Sequence, residues 1–300
     1  MRRALVLVAV VLSCAGASLQ QAPQVPIFKS AIDLTAVTAT VVDKNGALVT
    51  GLPQDAFEVF EDGEPQLITQ FTNERVPVSV CVLLDVSDSM YGRRIQDARE
   101  AVEQFVGSLL DRGDEFSILA FNHQQHWLTR WTNDSAVAPR VMLPLRPFGS
   151  TALYDAILGA LPAMTVRDRQ RAAILMISDG ADTASDRTLR DVRSALLRSD
   201  AFLYAIAIDP PERRPINVAV NAAALSEITD QSGGRTKLVQ SSGDLSTALS
   251  EIATELNSQY LIGYTSTNGA DGKYHSIRVR VRGTDDRVRA RNGYVGEPRD

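Results

Sequence analysis

Residues 78–89 read VSVCVLLDVSDS. The first seven are nearly continuous apolar sequence of strand length, which is typical of a strand buried on both faces of a parallel sheet. The next five include two carboxylates and two hydroxyls, on Asp85, Asp88, Ser87 and Ser89. Because ligands of open α/β sheets bind at the carboxyl ends of the strands, a buried strand that runs directly into such a loop predicts a ligand site.

Apolar strands alternate with amphipathic helices on the C-terminal side of this segment. The first helix carries apolar residues at three- and four-residue intervals from Ile95 to Leu109. Further buried strands are expected at Phe116–Phe121, Ala172–Ile177, Phe202–Ile208 and Thr236–Val239. This alternation predicts one α/β domain over residues 76–256, with a doubly wound, mostly parallel sheet.

Both flanks of this domain have the two-residue period of half-buried strands. Residues 31–75 contain hairpin signals at Asn45-Gly46 and Asp62-Gly63. In residues 257–300, arginines alternate with Ile277, Val279 and Val281. A lone two- or three-stranded piece is marginally stable in water. We therefore expect 31–75 and 257–300 to pack together as one small β module.

The N-terminus has the features of an export signal. Arg2-Arg3 precedes an apolar run from Ala4 to Leu12, and Ala15-Gly16-Ala17 fits the small-residue rule of signal peptidase. We expect a signal peptide over residues 1–17 and a linker over 18–30, and hence a periplasmic or extracellular protein. The apolar run is about half of the ~20 residues that span a bilayer, so no transmembrane segment is expected in the mature chain.

Composition narrows the classes of function. The 300 residues are 44% hydrophobic and 22% charged, as in a globular protein, and the net charge of −5 gives no attraction to nucleic-acid phosphates. The three histidines lack the spacing of zinc ligands, so a metal site would use oxygen. Of the two cysteines, Cys81 is expected in the core, while Cys14 offers an alternative to secretion, a lipid anchor of the lipoprotein type.

Oxygen-bearing side chains are expected to gather at one edge of the sheet. Asp85, Ser87 and Ser89 follow the first buried strand, Thr151 precedes a helix, and Asp179 follows the strand that ends at residue 177. Two carboxylates and three hydroxyls suit a hard cation such as Mg²⁺. Because hydroxyls leave the charge of the cation incompletely cancelled, it can accept one more anionic oxygen, from an Asp or Glu of another protein.

This constellation resembles the metal ion-dependent adhesion site (MIDAS) of von Willebrand factor type A domains. The matching features are the Asp-x-Ser-x-Ser loop, the threonine and the Ser178-Asp179-Gly180 turn, and the resemblance covers about residues 76–256. Short segments in both flanks, among them Tyr260–Tyr264, resemble segments of exported bacterial relatives, which are common in acidobacteria. In those relatives such a domain is flanked by β-strands on both sides.

The resemblance implies a role for each ligand. Ser87, Ser89 and Thr151 would bind Mg²⁺, or Mn²⁺ or Ca²⁺, directly or through water. Asp85 and Asp179 would hold coordinated waters or bind directly. One departure is visible, because an aspartate stands at position 88, where the family often has glycine, and it adds a negative charge beside the metal.

Three functions are compatible with these residues. The leading interpretation is a non-enzymatic, exported adhesion-type module that captures a partner's acidic side chain through the metal. A metal-dependent hydrolase or phosphatase is the alternative, but Ser87 stands where an acid/base carboxylate would be needed, and Gly-x-Ser-x-Gly and phosphate-cradling motifs are missing from the sequence. A structural envelope scaffold would use the same ligands, with the metal only stabilising the fold.

Overall fold

The structure, a computed structural model, describes residues 34–179, 181–208, 222–266, 268 and 271–296. The expected signal peptide, the linker and the proposed anchor at Cys14 lie outside the described residues. Among the helices that are described, none combines the length and the apolar character needed to cross a bilayer.

Strands and helices follow one another in three groups along the chain. The N-terminal strands are β1 (Leu34–Val42), β2 (Phe57–Glu61), β3 (Glu64–Gln66) and β4 (Ile68–Thr72). The central elements are β5 (Val78–Asp85), α1 (Arg93–Gln104), β6 (Glu115–Phe121), β7 (Gln125–Trp127), α2 (Val137–Met142), α3 (Leu153–Met164), β8 (Arg171–Ser178), α4 (Leu189–Leu196), β9 (Phe202–Ile208), α5 (Ala222–Ser232), β10 (Arg235–Val239) and α6 (Ser242–Asn257). The C-terminal strands are β11 (Tyr260–Thr265), β12 (Tyr274–Val281), β13 (Arg287–Ala290) and β14 (Gly293–Val295).

The central sheet has the strand order β10-β9-β8-β5-β6-β7. Its first five strands are parallel, and the short β7 pairs antiparallel with β6 at the edge. Every residue of β5, β6, β8 and β9 is buried, because helices cover both faces. Successive residues of β5 enter opposite cores: Val82 lies in one hydrophobic cluster and Leu83 in the other. The predicted doubly wound, mostly parallel sheet is confirmed.

Two four-stranded antiparallel sheets are built from the flanks. Their orders are β13-β1-β11-β4 and β14-β12-β2-β3, so each combines strands from both ends of the chain. They share one core, to which Val37, Val59, Ile262 and Val279 contribute. Since β1 pairs with both β11 and β13, the N-terminal flank is held between two C-terminal strands. The expected β module from the two flanks is therefore present.

A buried ionic cluster joins the flanking sheets to the central domain. Glu255 of α6 is wholly buried, and its Oε2 lies 2.6 Å from Arg289 Nη2 of β13 and 3.0 Å from Arg235 Nε of β10. Its Oε1 accepts a hydrogen bond from Tyr204 Oη at 2.8 Å. A buried carboxylate needs such partners, because an unpaired charge in the interior is costly. The cluster fixes β13 against the last helix of the central domain.

Two helices differ from the sequence expectation. The apolar pattern predicted that α1 would continue to Leu109, but α1 ends at Gln104 and a wider, π-type turn follows over Phe105–Leu109. The wider turn keeps Phe105 and Val106 buried. The apolar residues therefore face the core as expected, but in a π-type turn and not in an α-helix. Helix α2 was not predicted, because its six residues are too few to show a helical period.

Candidate metal site at the carboxyl edge of the central sheet

Asp85 is the last residue of β5 and lies at the centre of the sheet edge. Its side chain is wholly buried. Oδ2 accepts a hydrogen bond of 2.5 Å from Ser178 Oγ, at the end of the neighbouring strand β8, and Oδ1 accepts one of 2.8 Å from the backbone N–H of Ser87. These two bonds fix the orientation of the carboxylate and tie it to the loop that follows.

The environment of Asp85 disfavours its negative charge. Burial raises the pKa of this carboxyl to about 6, although the hydrogen bonds from Ser178 and Ser87 act in the opposite direction. The negative charge of Asp179 raises the pKa further. A cation placed between the two carboxylates would remove this repulsion and stabilise the ionised form.

A chain of hydrogen bonds connects the first loop to the end of β8. Ser87 Oγ and Ser89 Oγ are 3.1 Å apart, and Ser89 Oγ donates to Asp179 Oδ1 at 2.5 Å. Ser89 lies in a single 3₁₀ turn, which is closed by a bond from Met90 N to Ser87 O and anchored by the buried Met90 side chain. Four of the five predicted site residues are therefore in direct contact through side chains or backbone.

Thr151 is brought to the same edge by its own loop. The backbone N–H of Asp88 donates to Gly149 O at 2.9 Å, which joins the loop before α3 to the loop after β5. Thr151 is buried, its N–H donates to Thr183 Oγ1 at 3.0 Å, and its carbonyl accepts from Thr183 N at 2.8 Å. Thr151 thus lies between the loops that carry Asp88 and Thr183.

Gly149 has a backbone conformation that favours glycine, and it lies against the His123 ring. Its φ of +78° is in the left-handed region, and a Cβ placed on it would lie 2.4 Å from His123 Nδ1. The sequence alone showed no link between a histidine and the site. The structure places His123 against the loop that carries Thr151.

Asp182 lies three residues after Asp179 and contacts the start of α3. Its Oδ1 accepts from Leu153 N at 2.8 Å, Tyr154 N at 3.3 Å and Ser185 Oγ at 2.6 Å. Asp182 therefore accepts hydrogen bonds from the free backbone amides at the start of α3, a role that the N-cap residue of a helix usually has. This contact fixes the helix directly after Thr151.

Arg94 belongs to the site but was not predicted. Its Nη1 donates to Ser89 O at 2.8 Å, and its Nε lies 3.5 Å from Asp179 Oδ2. About a quarter of its side chain is exposed, whereas that of Asp179 is fully buried. The sequence contained one indication of this contact, which is the position of Arg94 in the first turn of α1. Because a helix N-terminus disfavours cations, an arginine there indicates a nearby anion.

The donor set fits a hard divalent cation. It offers two carboxylates that share one buried edge, and hydroxyls that are held by hydrogen bonds within the site. Oxygen donors of this kind are those that Mg²⁺ and Ca²⁺ prefer. Arg94 supplies positive charge to Asp179, so it balances part of the negative charge that a cation would meet.

A second cluster of potential ligands lies in the β module. Ligand atoms of Glu61, Asp62 and His275 lie within 4.8 Å of one another. The His275 ring is held between Asp62, at 2.7 Å from Nδ1, and Asp271, at 2.9 Å from Nε2. Burial lowers the pKa of His275, but these hydrogen bonds outweigh it and the pKa is raised. A protonated ring donates to both carboxylates, so the cluster is satisfied without a metal.

Comparison with known proteins agrees with the fold. Residues 80–181 match the family model of the von Willebrand factor type A domain. The solved structure of von Willebrand factor type A from Catenulispora acidiphila is 13% identical with a TM-score of 0.53, and the match covers 91% of this chain and 76% of that one. Proximal thread matrix protein 1 from the mussel byssus, solved with a zinc-occupied MIDAS motif, is 16% identical with a TM-score of 0.51, over 61% of this chain and 48% of that one.

A curated relative matches over a similar region. The inter-alpha-trypsin inhibitor heavy chain H2 of Mus musculus is 22% identical in an alignment of 204 residues that covers 62% of this chain and 20% of the relative. The chain therefore spans about a fifth of the length of the inhibitor heavy chains that it matches first. Strand order, family match and structural likeness agree: residues 80–181 match the von Willebrand factor type A domain, and the central sheet with its helices has the fold of the solved von Willebrand factor type A structure.

Proposed function

We propose that the chain is an exported protein-binding module that captures an acidic side chain of a partner through a divalent cation. The cation would be held by Asp85, Ser87, Ser89, Thr151 and Asp179. The observation that carries this proposal is the chain of hydrogen bonds, none longer than 3.1 Å, that joins four of these residues at the carboxyl edge of the sheet.

Mg²⁺ is the cation we propose, with Mn²⁺ or Ca²⁺ as alternatives of the same ligand chemistry. When bound, the cation supplies positive charge that the hydroxyl ligands leave partly uncompensated, and that charge attracts a carboxylate from outside. Ser87 and Ser89 keep their hydroxyls turned toward each other and toward Asp179, which orients them as ligands. The mussel protein with zinc in its MIDAS motif supports the same use of this edge.

An enzymatic function is less well supported by the geometry. A serine nucleophile needs a general base within hydrogen-bonding reach, commonly a histidine. The hydroxyls of Ser87 and Ser89 are instead engaged with each other and with Asp179. We propose that the chain is not an enzyme, and turnover of generic phosphoesters or esters that depends on metal and is lost in Ser87→Ala would contradict this.

Export is proposed from the sequence of residues 1–17, and it agrees with a likeness to a thread matrix protein. Secretion after cleavage and a lipid anchor at Cys14 are the two proposed forms. We further propose residues 76–256 as the binding domain and residues 31–75 with 257–300 as the module that carries it.

The first test is the response of the purified chain to metal. Mg²⁺ at about 100 times its dissociation constant should stabilise the fold by about 2.7 kcal/mol, or ~5–10 °C in melting temperature. Thr151→Ala should remove most of this response, because it deletes one proposed ligand. Ser150→Ala is the matched control, since Ser150 is exposed in the same loop, and it should respond as the wild type does.

The second test separates adhesion from a structural scaffold. The chain is used to capture partners from a native envelope extract, in Mg²⁺ and in chelator. The proposal predicts partners that are released by chelator and that Thr151→Ala fails to capture. If chelator lowers the melting temperature but leaves capture unchanged, the metal is structural and the adhesion function is wrong.

A further inference from the structure

Two exposed aromatic side chains lie on the loops that carry the proposed ligands. Tyr91 follows Ser89 by two residues, and Phe148 precedes Thr151 by three. The two side chains are 76% and 49% exposed. Burial of a large aromatic side chain is energetically favourable. Two such side chains that stay exposed at one sheet edge therefore indicate an interaction surface.

The backbone of both residues is fixed by hydrogen bonds beside the site. Phe148 N donates to Val86 O at 2.9 Å, and Tyr91 N donates to Asp88 O at 3.2 Å. Asp88 N in turn donates to Gly149 O at 2.9 Å, so both aromatic residues lie within three positions of one bond that joins the two loops. The backbones of the two residues therefore border the same edge as the ligands. We call Tyr91 and Phe148 the aromatic rim.

The ring of Phe148 packs against the ring of His123. The two rings meet edge to face, with centroids 5.7 Å apart and an interplanar angle of 82°. Gly149 makes this contact possible, because a side chain there would collide with the His123 ring. A ring that is already held in position loses little conformational entropy when a partner covers it.

The charge of Asp88, beside the aromatic rim, limits the partner. Asp88 is exposed between Ser87 and Ser89. It would repel a second carboxylate of the partner at short range, whereas a single carboxylate can be held by the cation. The surface therefore favours a solitary acidic residue over an acidic cluster.

We propose that the aromatic rim selects a protein segment in which one Asp or Glu, bound by the cation, is flanked by an aromatic or large aliphatic residue that packs on Tyr91 and Phe148. This inference rests on the proposed function, since the cation holds the carboxylate. Covering about 50 Å² of apolar ring surface at ~25 cal/mol per Å² corresponds to about tenfold in affinity.

The test is selection of random peptides displayed on phage against the full chain in Mg²⁺, with elution by EDTA. The eluted peptides should carry one Asp or Glu beside an aromatic or large aliphatic residue. The double variant Tyr91→Ser with Phe148→Ser should bind these peptides about tenfold more weakly, while its Mg²⁺-induced thermal shift stays as in the wild type. Leu67→Ser is the matched control, because Leu67 is 81% exposed and lies in the β module.

The outcomes distinguish this inference from the proposed function. Eluted peptides with an acid but no apolar neighbour, or equal binding by the double variant, would overturn the aromatic rim and leave the metal-dependent capture standing. A selection without acidic peptides in the EDTA eluate would overturn both.

Discussion

Replacing Arg94 by methionine should strengthen metal binding. In the structure Arg94 contributes positive charge to Asp179, the same carboxylate that a cation would use. A bound cation must therefore enter a site whose negative charge is already partly balanced. Methionine keeps much of the length of the side chain and removes the charge, so the cation in the variant meets two carboxylates without this competitor.

The size of the effect follows from the distance between the charges. Arg94 Nε lies 3.5 Å from Asp179 Oδ2. Two unit charges at that distance interact by about 1 kcal/mol in water and about 5 kcal/mol at an effective dielectric constant of about 20. Because Arg94 is partly exposed and screened, we expect the lower part of this range, ~1–2 kcal/mol. This corresponds to a Mg²⁺ dissociation constant about 5 to 30 times lower in Arg94→Met.

Titration calorimetry with Mg²⁺ on the wild type and the variant measures this directly. Arg93→Met is the matched control, because it makes the same change of charge one residue earlier on a side chain that is 85% exposed. The control should alter the affinity by less than about twofold. Weaker Mg²⁺ binding in Arg94→Met would refute the reasoning and show that the bond from Arg94 to the Ser89 carbonyl is needed to hold the ligand loop.

Three further changes test other parts of the structure by chemical denaturation. Gly149→Ala should lower the free energy of unfolding by about 1–3 kcal/mol, from backbone strain and from collision of the new Cβ with His123. Gly46→Ala, at φ +83° in open space, should show only the loss from strain. Equal losses in the two variants would contradict the collision. His275→Gln should remove a pH dependence of the free energy of unfolding. Because the folded pKa of His275 is raised above its ordinary 6.5, the stabilisation by His275 is complete below pH 6.5 and is lost as the pH rises through the folded pKa. A stability profile that is unchanged in the variant would contradict this. Glu255→Gln should cost ~1.5–3 kcal/mol, because the partly buried Arg289 and Arg235 lose the wholly buried carboxylate that they share. Glu251→Gln on the surface should cost less than about 1 kcal/mol, and similar losses would contradict the importance of the buried cluster.

The central domain could be predicted because its strands are almost wholly apolar. The run from Val78 to Leu84 fits a buried parallel strand, and it is buried at every position. The gathering of Asp85 and Asp179 follows from the same topology, since parallel strands bring their carboxyl ends to one edge. The resemblance to a known site suggested that the loop of Thr151 would reach the same edge, and a bond from Asp88 N to Gly149 O joins that loop to the loop after β5.

Other features depend on contacts between distant residues, which the spacing of apolar residues in the sequence does not predict. The two-residue period of the flanks predicted strands, but it carried no information on the order β13-β1-β11-β4. The ion pair of Arg94 with Asp179 joins residues 85 positions apart. The burial of Glu255 between arginines depends on the packing of β13 against α6, and the local sequence of α6 does not show it.

The central claim is that one divalent cation is bound by Asp85, Ser87, Ser89, Thr151 and Asp179. A crystal soaked in Mn²⁺, measured at a wavelength where manganese scatters anomalously, locates the ion without reference to any partner. The account predicts an anomalous peak at the carboxyl edge of the central sheet, within coordination distance of the Ser87, Ser89 or Thr151 hydroxyls. A map with no peak at that edge, or with its strongest peak between Asp62 and His275 in the β module, would contradict it.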